Sequence, residues 1–551
     1  MIRLGRIFLA MATSLSLGVT SGPVLAASTV DAVDGSMAWG TPGTHFPQNK
    51  QAETTVATNP TNPLNSISGA IDMAREPDCI PDPTSGGSLC YPGQTTNSIG
   101  VSSTQDGGKT WGTQILDFSG LGKLANADPG VAFGPRPDGR GGFSYTNGAR
   151  AYVSAMAFPL GNVTPFSEPV VAVTRSDDSG STWLTPVVAT DRVNPRAQFN
   201  DKPSIWADNN PSSPHFGTVY VVWALLTGVG RSSSTFFCTT CPVAILLTRS
   251  TDGGDTWSVP VTLSSSSDNA QVGYREGPAV RTDREGRVLV AWKDNIGATR
   301  RQSTMVAAVS TDGGQHFQSG VIGATYDANP LPGASFPNDN FISLDVDQTS
   351  DAIYAAWTNY NAIDSSHGHG ILMVMKSTDH GQTWSSAGSI TVPGRSAFHP
   401  ALAVTRQGST PAASSAPGRV VVGFSALTDV PWGTLPVAGR VNYLPYITVS
   451  DDGGVSWAVP VVPMGAGSSD PAATAGFLND FGSEFVGDYA GMSAAPDGKT
   501  FLYSYTSVQN GSPCSAVDAF RTGAGPVPNI YAQCLPTFGN TDIHVTTITT
   551  P

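Results

Sequence analysis

With 551 residues the chain is too long for one compact core of ordinary size, so it holds either several domains or one repetitive architecture. Glycine (61) and proline (42) are abundant, charged residues make up only 13%, and few stretches carry helical periodicity, which suits many short strands joined by tight turns. A formal net charge of -13 with no basic stripe excludes a phosphate backbone, and so nucleic acid, as a partner.

The chain opens with Arg3 and Arg6 ahead of an apolar run that ends in the small residues around Val24-Leu25-Ala26. This is the pattern of a secretory signal peptide, residues 1–26, cut after Ala26 or Ala27. The run is short and broken by Ser, Gly and Pro, and no later stretch approaches a membrane span, so the expectation is an exported protein, extracellular or periplasmic.

Beyond it a turn recurs six times in order: "VSSTQDGGKTW" (101–111), "VTRSDDSGSTW" (173–183), "LTRSTDGGDTW" (247–257), "AVSTDGGQHF" (308–317), "MKSTDHGQTW" (375–384) and "TVSDDGGVSW" (448–457). Six copies in order identify an internal repeat. The aspartates Asp106, Asp178, Asp252, Asp312, Asp379 and Asp452 are expected to accept hydrogen bonds from the turn's own backbone, with Trp257 and its equivalents folding back as apolar plugs. Such aspartates are structural and keep little capacity for a ligand.

Each repeat also contains an inner strand, as in "ADPGVAFGP" (127–135), "NDKPSIWAD" (200–208) and "FHPALAVTR" (398–406). Seven such strands occur, one more than the aspartate turns. Six are followed by a strand ending in Tyr145, Trp223, Trp292, Trp357, Phe424 or Tyr505, with the alternation of half-buried strands.

The sequence therefore predicts an all-β protein, a β-propeller of four-stranded antiparallel blades. Seven blades is the preferred count and six the alternative. Residues 27–52 would supply the outer strand that closes the ring, through "SMAWGTP" (36–42), and residues 53–551 the propeller itself.

The six turns resemble the Asp-box, or BNR, repeats of the sialidase-like propeller superfamily, over a stretch from about Glu53 to the C-terminus. The resemblance implies a carbohydrate partner, an extracellular glycan or glycoprotein, bound by a monomer on the face opposite the turns. It also implies three arginines gripping a sugar carboxylate, a Tyr–Glu couple and an acidic Asp. The first arginine would stand in an Arg-Ile-Pro motif, but the first inner strand reads "AETTVATNP", with Glu53 in that region. Arg196, Arg275, Arg395, Arg231, Arg300, Arg301, Arg440 and Arg521 are the other arginines in reach, and Tyr274 with Glu276 the nearest Tyr–Glu couple.

The inner strands start at Glu53, Asp128, Asp201, Glu276, Asp339, His399 and Asp488, six acidic residues of seven. Three roles compete for this ring: capping of backbone N–H groups, a calcium site, or a carboxylate pair for glycoside hydrolysis. No cofactor is required, with Ca²⁺ as an optional occupant. The catalytic candidates are Asp201, Glu276, Asp339 and Asp488; the substrate-binding candidates are Arg275, Trp223, Trp292, Trp357 and His399. As an enzyme the protein would be a glycoside hydrolase; the alternative is a non-catalytic binding propeller.

Six cysteines fall into three close pairs, Cys79 with Cys90, Cys238 with Cys241, and Cys514 with Cys534, and read as local disulfides bracing long loops. "LDVDQTSD" (344–351) places Asp345, Asp347 and Asp351 like a calcium loop but lacks its Gly and closing Glu, so it reads as a turn; "HGHG" (367–370) reads as a loop.

Overall fold

The computed structural model describes residues 26–33, 45–76, 78–81, 88–89, 97–160, 169–190, 198–227, 243–264, 273–296, 302–327, 331, 334, 336, 338–362, 368–405, 418–428, 442–467 and 485–550. Its strands form seven antiparallel sheets in sequence order, together with a minor two-stranded pairing. The inner strands of blades 1 to 7 are Gln51–Thr58, Lys123–Pro137, Gln198–Ala207, Gly273–Thr282, Ser343–Val346, Ala397–Val404 and Gly491–Ala494. Each lies against the inner strands of its two neighbours, and that of blade 7 meets that of blade 1, so the wheel is closed.

Closure uses the N-terminus. Ala26–Val33 pairs antiparallel with Asp542–Thr549 as the outer strand of blade 7. The closing strand therefore comes earlier in the chain than the expected 36–42, which lies outside the described residues.

Outer strands vary in length, and proline explains much of it. The outer strand of blade 4, with no proline, runs Gln318–Tyr326, whereas those of blades 2 and 3 shrink to Val187–Val188 and Val261–Thr262 just after Pro186 and Pro260. In blade 6, where Pro460 and Pro463 flank the segment, only an isolated bridge between Ile447 and Val461 remains. Proline has no N–H to give a ladder, so it confines pairing to single residues.

The second strands are not half-buried. Val219–Thr227 and Val420–Leu427 are buried at almost every position, because both faces of each blade pack on a neighbour. Trp223 lies with Tyr152 and Val171 of blade 2, Trp292 with Tyr220 and Val243 of blade 3, and Trp357 with Leu289 and Met305 of blade 4. These tryptophans, expected to bind substrate, are at most 1% exposed and serve as blade-to-blade core. Tyr145 stands near the start of its long strand, Phe143–Pro159, away from the mouth, where its hydroxyl donates to Asn209.

The aspartate turns share one hydrogen-bond pattern. In blade 3 the Ser250 hydroxyl donates to Asp252 Oδ1 at 2.7 Å and accepts from the Gly254 amide at 2.8 Å. Asp252 Oδ1 also accepts the Thr256 amide at 2.9 Å, and Oδ2 the Thr256 hydroxyl at 2.5 Å. The same contacts recur around Asp106, Asp178, Asp379 and Asp452; at Asp312 the His316 ring replaces the hydroxyl. Gly254 has φ 91°, the left-handed region, and a Cβ there would come 3.0 Å from Arg175.

The carboxylates are self-contained as expected, but the turns are not. Each accepts a hydrogen bond from the preceding blade: Thr547 to Gly107, Gln114 to Gly180, Arg150 to Gly253, Arg249 to Gly314, Arg287 to the His380 ring, and Lys376 to Gly453. The turn tryptophans 183, 257, 384 and 457 also pack, half-buried, on cores shared with the preceding blade. The repeat is thus a clasp between blades as well as a turn.

Two expected outcomes follow from the clasp. Arg150→Ala, which removes the bond to Gly253 and the ion pair with Asp177, should cost about 1–3 kcal/mol in urea unfolding, while exposed Arg140→Ala should stay within about 0.5 kcal/mol. The second concerns acid. Hydrogen bonds from Thr110 and Thr383 hold Asp106 and Asp379 down at about 2; at Asp452 burial opposes, but the Ser456 bonds win and leave it at about 2. Folded values below the unfolded carboxylate range mean stability that is present above about pH 4 and lost as pH falls toward 2. Urea midpoints measured across that window should fall steeply, and a flat profile would contradict the clasp.

The blade 7 loop after Thr500–Ser507 contains helices Ser515–Arg521 and Ile530–Gln533, unforeseen in the sequence, tied by the Cys514–Cys534 disulfide. They pack on Phe46 and Cys79 in one apolar cluster. Cys79 is disulfide-bonded; its expected partner Cys90, with Cys238 and Cys241, lies outside the described residues.

Candidate functional site

A β-bulge near the start of the inner strands positions the site. The register of blades 1, 2, 3, 4 and 6 slips between Ala52 and Thr55, Ala127 and Gly130, Asp201 and Ser204, Glu276 and Ala279, and Phe398 and Ala401. The first bulged residue takes a left-handed backbone: Glu53 (φ 53°), Asp128 (φ 52°), Lys202 (φ 48°), Gly277 (φ 59°) and His399 (φ 48°). In four of the five it precedes proline, Pro129, Pro203, Pro278 or Pro400, which has no N–H to leave unsatisfied at the bulge. Non-glycine residues held in this region store strain, and such strain gathers where a side chain must be aimed.

The bulge corrects the alignment of the ring. Glu53, Asp128, Lys202, Gly277 and His399 are equivalent, whereas Asp201 and Glu276 stand one residue earlier. Lys202, not an acid, occupies the bulge of blade 3. Its Nζ donates to Glu53 Oε1 at 2.8 Å, Asp128 Oδ1 at 2.9 Å and Asp488 Oδ2 at 2.6 Å, so blades 1, 2 and 7 converge on blade 3. Asp201 accepts the Lys202 amide at 3.0 Å.

Electrostatics divides these acids. Burial alone would lower Lys202, but the four surrounding carboxyl groups raise it well above the usual lysine range and keep it an ammonium. Burial and neighbouring acids raise Glu53 and Asp201, while Lys202 and hydrogen bonds from both acids outweigh burial at Asp128 and hold it low. The result is one acid held low between two that are pushed up.

A second lysine was equally invisible in the sequence pattern. Lys293 on the second strand of blade 4 faces Glu276 across the sheet and lies 3.5 Å from Asp339 Oδ1 and 3.9 Å from Asp327 Oδ1. Burial raises Asp339 despite Lys293. Phe341 sits between the two cations, its ring 5.9 Å from Lys202 Nζ and 5.8 Å from Lys293 Nζ. Gly277 makes that possible, since a Cβ there would fall 2.3 Å from the Phe341 ring. Tyr489, half-buried, lies 5.9 Å from Lys202 Nζ.

The structure thus gathers Asp201 and Asp488 on one lysine and Glu276 and Asp339 around another. The most open of these carboxylates are Asp339, at 23% side-chain exposure, and Asp488, at 10%; Glu53 and Asp128 are at 2% and 3%. His399 stands near Asp488, and burial drives its ring down to about 4, so it is neutral at pH 7. Its Nε2 is buried without a hydrogen-bond partner among the described residues.

Other expectations lie elsewhere. Arg275 is fully buried, with Nε on Asp294 at 2.8 Å and Nη1 on the Val243 carbonyl at 2.9 Å, so it braces the blade interior instead of gripping a ligand. Arg196, Arg231, Arg300, Arg301, Arg440 and the Tyr274 side chain fall outside the described residues. Arg395 is part of a bridge with Val392, and Arg521 ends a helix. Asp345, Asp347 and Asp351 are engaged by Arg281, by Thr349 and Ser350, and by Arg284, as a turn and blade contacts require. His369 belongs to a strand paired with Asn361, not to a loop, and His367 is outside the described residues.

No family model and no curated protein matches the sequence. Among solved structures, a Hadza microbial sialidase, Hz136, is 15% identical at a TM-score of 0.42 over 80% of this chain and 73% of its own. A protein of unknown function from Dyadobacter fermentans is 13% identical at 0.40, over 77% and 94%. An α-L-arabinanase from Penicillium chrysogenum, solved with arabinobiose, is 12% identical at 0.39, over 79% and 95%. The chain is a seven-bladed β-propeller whose repeated turns resemble those of the sialidase-like superfamily.

Proposed function

We propose that the protein binds an extracellular glycan at the inner-strand mouth and hydrolyses it with Asp339 as general acid and Asp488 as the partner carboxylate. The observation that carries this reading is the contrast in exposure within the ring: Asp339 and Asp488 are the most open of its acids, while Glu53 and Asp128 are sealed around Lys202. Burial pushes the Asp339 carboxyl up, the direction a general acid for the leaving oxygen needs. Asp488, held by the Lys202 ammonium at 2.6 Å, is fixed to serve as base or nucleophile. The carbohydrate class comes from the resemblance of the turns, and the site argument stands on these residues.

The donor set argues against a resident calcium ion. An ammonium already stands where three carboxylates converge, and a metal would have to displace it.

A second reading is a non-catalytic glycan-binding propeller. What favours it is that Glu53, Asp128 and Asp201 satisfy one another and Lys202 with no ligand, as a structural ring would. A panel of chromogenic glycosides, tested with and without chelator, separates the two. Turnover by the wild type that falls at least about 100-fold in Asp339→Asn, with no chelator effect, supports hydrolysis at this site. Binding without turnover supports the second reading.

A further inference from the structure

Resting on the reading of the mouth as a glycan site, we infer that its ligand carries no acidic group, and that Asp128, bonded to Lys202 at 2.9 Å, is the residue that enforces this. Around Lys202 stand Glu53, Asp128, Asp201 and Asp488; around Lys293 stand Glu276, Asp327 and Asp339. Each ammonium is outnumbered by its acids, and Arg275 is spent on Asp294. Asp128 and Asp488 both bond to the single Lys202 ammonium, so the cluster offers an entering anion more repulsion than attraction. Burial keeps that repulsion strong, because little water screens it.

An unpartnered group shows what does fit. His399, at the bulge position equivalent to Glu53, Asp128 and Lys202, is 7% exposed, and its Nε2 has no hydrogen-bond partner among the described residues. A neutral imidazole nitrogen acts as donor or acceptor according to its tautomer. A sugar hydroxyl meets either requirement, whereas an anion can only accept. His399 stands near Asp488, which accepts from the Lys202 ammonium, and donor and acceptor together make the mixed lining that a polyol satisfies.

Asp128 decides the sign of the field. It is the acid of the cluster held below the usual carboxylate range, and a left-handed bulge fixes it on the neighbouring cation. Positive charge that could have met an anionic sugar is consumed within the protein.

The experiment is an array pairing lacto-, arabino-, xylo- and galacto-oligosaccharides with sialylated, sulfated or uronic-acid counterparts, probed with the full-length protein. The wild type should bind uncharged members, lose them in Asp339→Asn, and bind the acidic counterparts at least tenfold more weakly. Asp128→Asn should narrow that preference at least tenfold, and Asp488→Asn, which also removes an acid bonded to Lys202, should narrow it in the same direction should the first variant fold poorly. Acidic glycans bound by the wild type and lost in Asp339→Asn would overturn the inference and leave the mouth as the site. Uncharged glycans bound with a preference that neither variant changes would overturn the role of Asp128. No binding at all, or binding indifferent to Asp339, would overturn the site itself.

Discussion

A Lys202→Met variant is expected to lose about 3–5 kcal/mol of unfolding free energy at pH 7, more than any surface substitution in the molecule. The lysine Nζ is the hydrogen-bond partner of Glu53, Asp128 and Asp488, from three different blades, and methionine fills the space without the charge. Without the cation that opposes it, burial pushes the folded values of Glu53 and Asp128 above those of the unfolded chain. Their penalty is therefore complete above the folded values and vanishes as pH drops toward the unfolded carboxylate range near 4. Urea unfolding at pH 7 and pH 4.5 should show the deficit shrinking at the lower pH. A deficit that is small at pH 7, or equal at both, would mean that the lysine does not hold the ring.

Trp292→Ala is expected to cost a comparable 3–5 kcal/mol, and for a different reason. The side chain is 1% exposed and fills the core between blades 3 and 4, against Tyr220, Val243 and Val290. Truncation leaves a cavity that two stiff sheets cannot close. The loss should be independent of pH between 4.5 and 7, in contrast to Lys202→Met, and a Trp292→Phe variant should recover part of it. Equal affinity of Trp292→Phe and wild type for a bound glycan would agree with a packing role, whereas lost affinity in a stable variant would return the tryptophan to the mouth.

The blades and their turns were legible because their determinants are local. Ser250, Asp252, Gly254 and Thr256 bond to one another within seven residues, so the pattern survives as a string. What the turns hold was not legible, since Arg150 and Gly253 meet only when two blades pack. Proline in the outer segments was visible, but its shortening of those strands had to be seen in the sheets.

The mouth was half legible. Six acids at regular spacing pointed to it, yet aligning on acidity set Asp201 and Glu276 one residue out of phase and hid Lys202. The signal that would have found the lysine is the proline that follows it, shared with Asp128, Gly277 and His399. Lys293 follows Trp292 on a second strand and reaches the site only through cross-strand pairing with Glu276. Tryptophans 223, 292 and 357 were misplaced by the assumption that second strands have a free face; in a propeller of this size they have none.

Two sets of acids serve different ends: those of the turns shape the loops that clasp blades, and those of the mouth meet ligand. The measurement that tests this most directly is glycan binding by calorimetry to wild type, Asp339→Asn and Asp379→Ala, each shown to be folded, with the tightest uncharged array member as titrant. Binding lost in Asp339→Asn and kept in Asp379→Ala is the predicted result. Binding kept in Asp339→Asn and lost in Asp379→Ala would place recognition on the turns and contradict the account.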